Sequence, residues 1–138
     1  MKKLINEAIK ARDNSYSPYS KFSVGAAVLL DDGKIIHGTN IENVSYGLAN
    51  CAERSALFSA YSQGYKKNNI KAMAVVADTK DVINPCGACR QVMSELLNSD
   101  VPIYLANIKE KVKEVKIDML LPNSFKEVEI WVKKRLGL

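Results

Sequence analysis

The segments Cys51-Ala52-Glu53-Arg54 and Pro85-Cys86-Gly87-Ala88-Cys89-Arg90 hold all three cysteines of the chain. Three thiolates converging on one zinc ion fill three corners of a tetrahedron. They leave the fourth to water, the mark of a catalytic rather than a structural site. Cys86 and Cys89 lie three apart at the predicted start of a helix, so they share a face and both sulfurs can reach one ion at about 2.3 Å. Cys51 opens a second predicted helix, and helix N-termini favour thiolate over thiol. Glu53 is read as the acid that does not ligate: a carboxylate beside a zinc-activated water can take its proton and pass it on. Zinc with three thiolates carries a net charge near −1, so a nearby cation would restore the acidity of that water. Arg54 and Arg90 each directly follow a site residue and are the candidates. Arg54 is read as the hydrogen-bond donor to the thiolates.

Blander alternatives exist. A buried cysteine packs as a small hydrophobe, and Cys-x-x-Cys alone can be a redox dithiol. A structural zinc site needs a fourth protein ligand, and the sole histidine, His37, falls on a predicted strand after a hairpin. Arg54 could form a surface salt bridge and Glu53 could face solvent. Both cysteine motifs in this order, on two helices, favour the open zinc site.

The elements that must carry these residues follow from periodicity. Residues 2–14 read as an amphipathic helix with Leu4, Ile5, Ala8 and Ile9 in one stripe. The run 24–30 is apolar and reads as a buried strand. Asp31-Asp32-Gly33-Lys34 signals a hairpin into a strand over 35–39. Helices follow over 51–61, with Gly64 near the end as a cap, and over 86–97 after Pro85. Strands are predicted at 72–77, 102–106 and 112–117, the last alternating with period two. Leu120-Leu121-Pro122 reads as a turn, and 128–136 as either helix or strand. The order α-β-β-α-β-α-β-β predicts an α/β fold with helices on both faces of a mixed five-stranded sheet. Right-handed crossovers predict that the later strand connections are parallel.

A chain of 138 residues fits a single domain spanning 1–138. Apolar content of 47% and charged content of 25% are those of a soluble globular protein. The net charge of +5 is spread among acidic residues, so it reads as a solvated surface rather than a nucleic-acid patch. Met1-Lys2-Lys3 leads into helical periodicity rather than a signal peptide. No run approaches the roughly 18 apolar residues of a membrane span. An odd number of cysteines with metal spacing argues against a disulfide framework and for a cytoplasmic chain.

The landmarks Tyr19-Ser20-Lys21-Phe22-Ser23-Val24-Gly25-Ala26, Asn40-Ile41-Glu42-Asn43, Cys51-Ala52-Glu53-Arg54 and Pro85-Cys86-Gly87-Ala88-Cys89-Arg90-Gln91 together resemble a known family. It is that of the small homotetrameric cytidine deaminases, zinc-dependent enzymes of nucleoside salvage. The resemblance runs from Ala11-Arg12 to Leu121-Pro122, and the tail departs from the family pattern at Asn123-Ser124-Phe125. It implies a three-layer α-β-α sandwich and one Zn2+ per subunit on Cys51, Cys86 and Cys89. It also implies hydrolytic deamination of cytidine and deoxycytidine, with Glu53 moving the protons. Asn40 and Glu42 would bind the ribose hydroxyls, Phe22 would pack on the nucleoside, and Ala52 would offer backbone groups to the pyrimidine edge. Tyr46 and Phe125 would complete a neighbouring subunit's pocket. Phe22 as a core aromatic and Glu42 as a surface charge are the alternatives. Three other readings stay open: a deaminase of nucleoside antibiotics, a deaminase of cytosine in RNA or single-stranded DNA, and a noncatalytic zinc-stabilised module.

Overall fold

Strand β1 (Val24–Leu30) turns at Gly33, which takes a positive φ of 87°, and returns as β2 (Ile35–Thr39), antiparallel, with Leu29 opposite Ile35. In this computed structural model, which describes residues 1–127 and 135–137, the hairpin forms one side of a five-stranded sheet. Strands β3 (Ile70–Ala77), β4 (Ile103–Asn107) and β5 (Val112–Val115) complete it in the order β2-β1-β3-β4-β5. The run 128–134, most of the stretch read as helix or strand, lies outside the described residues.

The expectation of parallel later connections holds for one pair only. Strands β3 and β4 run parallel, whereas β4 and β5 are antiparallel. The stretch 108–111 is far too short for the crossover that a parallel neighbour requires, and Glu110 takes a positive φ of 72° within it. The period-two stretch also ends earlier than predicted: β5 stops at Val115, and Ile117 opens a short helix, α4 (Ile117–Leu120).

The sheet's two faces differ in side-chain size, and this sets the layers. On one face Ala27, Ala72, Ala74, Val76 and Ala106 pack against Leu4, Ile5 and Ala8 of α1 (Lys2–Arg12). On the other, Val24, Val28, Met73, Val75, Ile103 and Leu105 pack under α2 (Ala52–Ser62) and α3 (Gly87–Leu96). The predicted three-layer α-β-α arrangement is present, with one helix on one side and two on the other. Ile9, predicted for the α1 stripe, is only half-buried, and Ala11 is buried.

Helix α2 ends as its glycine foretold. Gly64 takes φ +97°, its N–H bonds the Tyr61 carbonyl at 3.1 Å, and the Tyr65 N–H reaches Ala60 at 3.2 Å. These two bonds form a Schellman motif. The opposite end of α2 is located by Gly38. A Cβ there would lie 2.3 Å from the Ala56 nitrogen and 2.4 Å from the Ala52 carbonyl oxygen. The first turn of α2, which carries Glu53 and Arg54, therefore rests with its backbone directly on β2. Gly38→Ala is expected to destabilise the protein by about 3 kcal/mol or more, because backbone rather than a flexible side chain must move. Denaturant unfolding checks this, and a loss under about 0.5 kcal/mol, the range of neutral surface changes, would contradict it.

Candidate active site

Cys51 and Cys86 are not inside their helices but occupy the N-cap positions of α2 and α3, both with extended backbone. The Cys86 sulfur accepts from the Cys89 N–H at 3.4 Å, the bond an N-cap oxygen would otherwise take. Cys89, one turn in, is fully buried, while Cys51 is half-buried and Cys86 exposed. The three sulfurs lie within 4.8 Å of one another, with Cys51 to Cys86 at 3.8 Å and Cys86 to Cys89 at 3.3 Å. Tetrahedral corners about 2.3 Å from zinc stand roughly 3.8 Å apart, so the cluster is suited to a zinc ion in size and in ligand type.

Electrostatics argue the same way. The Cys51 thiol sits well below the ordinary thiol range because its sulfur accepts a hydrogen bond from Cys89 and another from Arg54. Cys89 is held above that range by donating to Cys51 and by burial. A second thiolate so close to the first is opposed by repulsion unless a cation sits between them. Arg54 Nη2 points at the Cys51 sulfur from 3.5 Å. Its Nε is buried with no partner among the described residues. Such an orphaned donor beside the cluster fits a site that carries more negative charge once its sulfurs are ionised around a metal.

Arg90 departs from expectation. Its guanidinium is committed to the Pro85 and Leu120 carbonyl oxygens, at 2.8 and 2.9 Å, and not to a sulfur. His37 pairs with Glu7 at 2.9 Å on the outer edge of the sheet, away from the metal cluster.

Glu53 is 4% exposed, one of only three buried polar or charged side chains among the described residues. Burial pushes its carboxyl above the usual carboxylate range, and a charge on Cys51 pushes the same way. Ala52, the first residue of α2, is fully buried.

The other predicted residues form a second group. Asn40 is a hub: its Oδ1 accepts from Ser15 Oγ at 2.5 Å and Val24 N–H at 2.9 Å, and its Nδ2 donates to the Phe22 carbonyl at 2.7 Å. It thereby pins the loop whose tip presents the half-exposed ring of Phe22. Glu42 Oε1 accepts the N–H groups of Tyr19 and Ser20, at 3.0 and 3.1 Å. Hydrogen bonding from Ser20 holds its carboxyl below the usual range. Glu42 and Tyr46 line an open pocket of about 370 Å³ with Tyr19, Ser20, Asn43 and Ala49. The Tyr46 ring meets Tyr19 edge-on, with centroids 5.8 Å apart. Phe125 does not line this pocket; its carbonyl accepts from Gln91 Nε2 at 2.7 Å and its ring is exposed.

Three contributors were not predicted as site residues. Tyr19 and Ser20 lie in a segment read only as a helix break and a landmark, although backbone N–H groups in such a turn are natural carboxylate partners. Ser15, which holds Asn40, carries no spacing signal at all.

Comparison with known proteins decides the family. A family model described as the cytidine and deoxycytidylate deaminase zinc-binding region matches residues 1–105.

The chain belongs to the cytidine deaminase family.

It is 57% identical over 122 residues to a cytidine deaminase of Halalkalibacterium halodurans, covering 88% of this chain and 91% of that one. It is 51% identical over 130 residues to the cytidine deaminase of Sporosarcina psychrophila, with 94% of each chain covered. The fold matches the crystal structure of cytidine deaminase from Burkholderia pseudomallei with a TM-score of 0.88 at 50% identity, over 90% of this chain and 98% of that one. The cysteine cluster, suited to holding a metal ion, thus lies in the zinc-binding region of a cytidine deaminase family member.

Proposed function

We propose that the protein catalyses hydrolytic deamination of cytidine and deoxycytidine to uridine and deoxyuridine, releasing ammonia. The observation that carries this reading is the buried, unligated carboxylate of Glu53, two residues from a cysteine of a three-sulfur cluster. Zinc bound to Cys51, Cys86 and Cys89 supplies Lewis acidity that makes water a nucleophile at neutral pH.

Glu53 handles the protons. Its carboxylate takes one proton from the attacking water and delivers it to ring N3 while the oxygen bonds to C4. It then moves the remaining hydroxyl proton to the amino group, the C4–N bond breaks, and ammonia leaves as the C4 carbonyl forms. A carboxyl made more basic by burial holds the shuttled proton more readily between these transfers. Arg54 donates to the thiolates and offsets their charge. A site with three thiolates needs that help more than one built from neutral histidines.

The nucleoside is held by the second group. Glu42 and Asn40 take the ribose hydroxyls, since the remaining carboxylate oxygen and amide hydrogen are the types that pair with a diol. Phe22 packs on the nucleoside, and Ala52 offers its backbone to the pyrimidine edge. Tyr46 and Phe125 complete the pocket of a neighbouring copy in a homotetramer. In support, Val44, Tyr46 and Leu48 are 78%, 77% and 73% exposed on one short segment, and Phe125 is 65% exposed, a display of apolar surface that suits contact between copies. Light scattering should give four chain masses. No helix among the described residues is long and apolar enough to cross a membrane. Free thiols clustered for metal fit a reducing, cytoplasmic setting and a role in pyrimidine salvage.

The direct test is to incubate purified protein with cytidine, follow the ultraviolet change to uridine, and run a parallel assay on cytosine in RNA. Conversion of the nucleoside with no change in RNA is expected. Activity on RNA alone, or on neither, would overturn the reading.

A further inference from the structure

We infer that Arg90 is a positioning residue for the metal site, its side chain tying the peptide that enters Cys86 to the end of α4 and so steadying where that sulfur points. Two peptide planes meet at the Cys86 Cα, and their orientations are its φ of −69° and ψ of 166°. The plane before it ends in the Pro85 carbonyl, which accepts from Arg90 Nε at 2.8 Å. The plane after it begins with the Cys86 carbonyl, which accepts from the Arg90 backbone N–H at 3.0 Å. That second bond is the first backbone bond of α3 and any residue at 90 would make it, so the arginine side chain adds the hold on the Pro85 carbonyl, which sets how the chain enters Cys86. A third bond, from Arg90 Nη1 to the Leu120 carbonyl at 2.9 Å, ties the grip to the end of α4.

Cys86 is the ligand that needs such support. Cys89 is locked by full burial in the core, and Cys51 leads directly into the buried Ala52 and Glu53. Cys86 is exposed, and so are Gly87 and Ala88 after it. Packing does not hold this sulfur; the Cys89 N–H holds it directly, and the Arg90 side chain holds the peptide before it. The planar, five-donor fork of arginine can reach two carbonyls in different directions at once, which the point-like ammonium of lysine cannot.

The test uses the zinc-loaded protein and an excess of a chromogenic chelator. Arg90→Ala is expected to release zinc at least tenfold faster, within the 10–100-fold range typical when a residue supporting a ligand is lost. Arg90→Lys should fall between Ala and wild type. Gln91→Ala removes the neighbouring bond to Phe125 rather than the grip on Cys86, and should release zinc at the wild-type rate. Alkylation by iodoacetamide gives a readout that a general loss of stability would not: in Arg90→Ala, Cys86 reacts faster while Cys89 stays protected. Wild-type zinc release in Arg90→Ala, or in Arg90→Lys should the alanine variant not fold, would overturn the inference. Joint exposure of Cys86 and Cys89 would overturn it as well. A wild-type chain that holds no zinc would remove the metal site itself, a separate failure.

Discussion

Glu53→Gln is expected to lower the turnover number for cytidine by at least 10²–10⁴-fold, the usual worth of general acid–base assistance, while the protein keeps its zinc. The amide has the size and shape of the carboxyl but can neither take a proton from water nor return one to N3 or the amine. In the proposed mechanism the same group serves successive transfers, which places the expected loss toward the upper end of that range. The position is 4% exposed, so bulk water cannot readily substitute as the base. Burying a neutral amide is also easier than burying a charge, and no loss of stability is expected. Metal analysis beside steady-state kinetics separates the outcomes. A turnover number within tenfold of wild type, with zinc bound, would take Glu53 out of the mechanism.

Loss of a sulfur should act differently, through the metal. Cys86→Ala and Cys89→Ala are each expected to lose stoichiometric zinc on dialysis, and activity with it, because two thiolates remain where three were needed. The pair is informative because the two sites differ in packing. Cys89 is wholly buried in the core cluster, so its truncation also leaves a small cavity, whereas Cys86 is exposed and packs against little. Without metal, Cys86→Ala should lose only the N-cap bond of α3, about 1 kcal/mol, with Cys89→Ala lower still. Stoichiometric zinc in both variants would contradict the ligand set.

The sequence carried the metal cluster and most of the layers because those rest on local rules. The hairpin at Gly33, the cap at Gly64 and the helix starts at Cys51 and Cys86 are each decided within a few residues. The misreadings arose where distant packing decides. The alternation over 112–117 correctly gave a strand, but could not say that β5 lies at the sheet's edge with only Val115 buried, or that the chain turns helical at Ile117. The parallel connection expected there failed on the length of the link. In the site, adjacency misled as well as guided. Arg54 and Arg90 each follow a site residue, yet one faces a sulfur and the other two carbonyls. Which way a guanidinium turns depends on acceptors far along the chain, such as Leu120. The bond from Asn40 to the Phe22 carbonyl likewise joins residues 18 apart and leaves no trace in spacing.

The most direct test of the zinc centre is X-ray absorption at the zinc edge of the purified protein. Three sulfur scatterers at about 2.3 Å and one oxygen or nitrogen scatterer at about 2.0 Å are predicted, the lighter atom belonging to solvent. Four sulfur scatterers, or a light-atom signal showing the imidazole pattern of a histidine ligand, would contradict an open catalytic zinc site and the deaminase chemistry built on it.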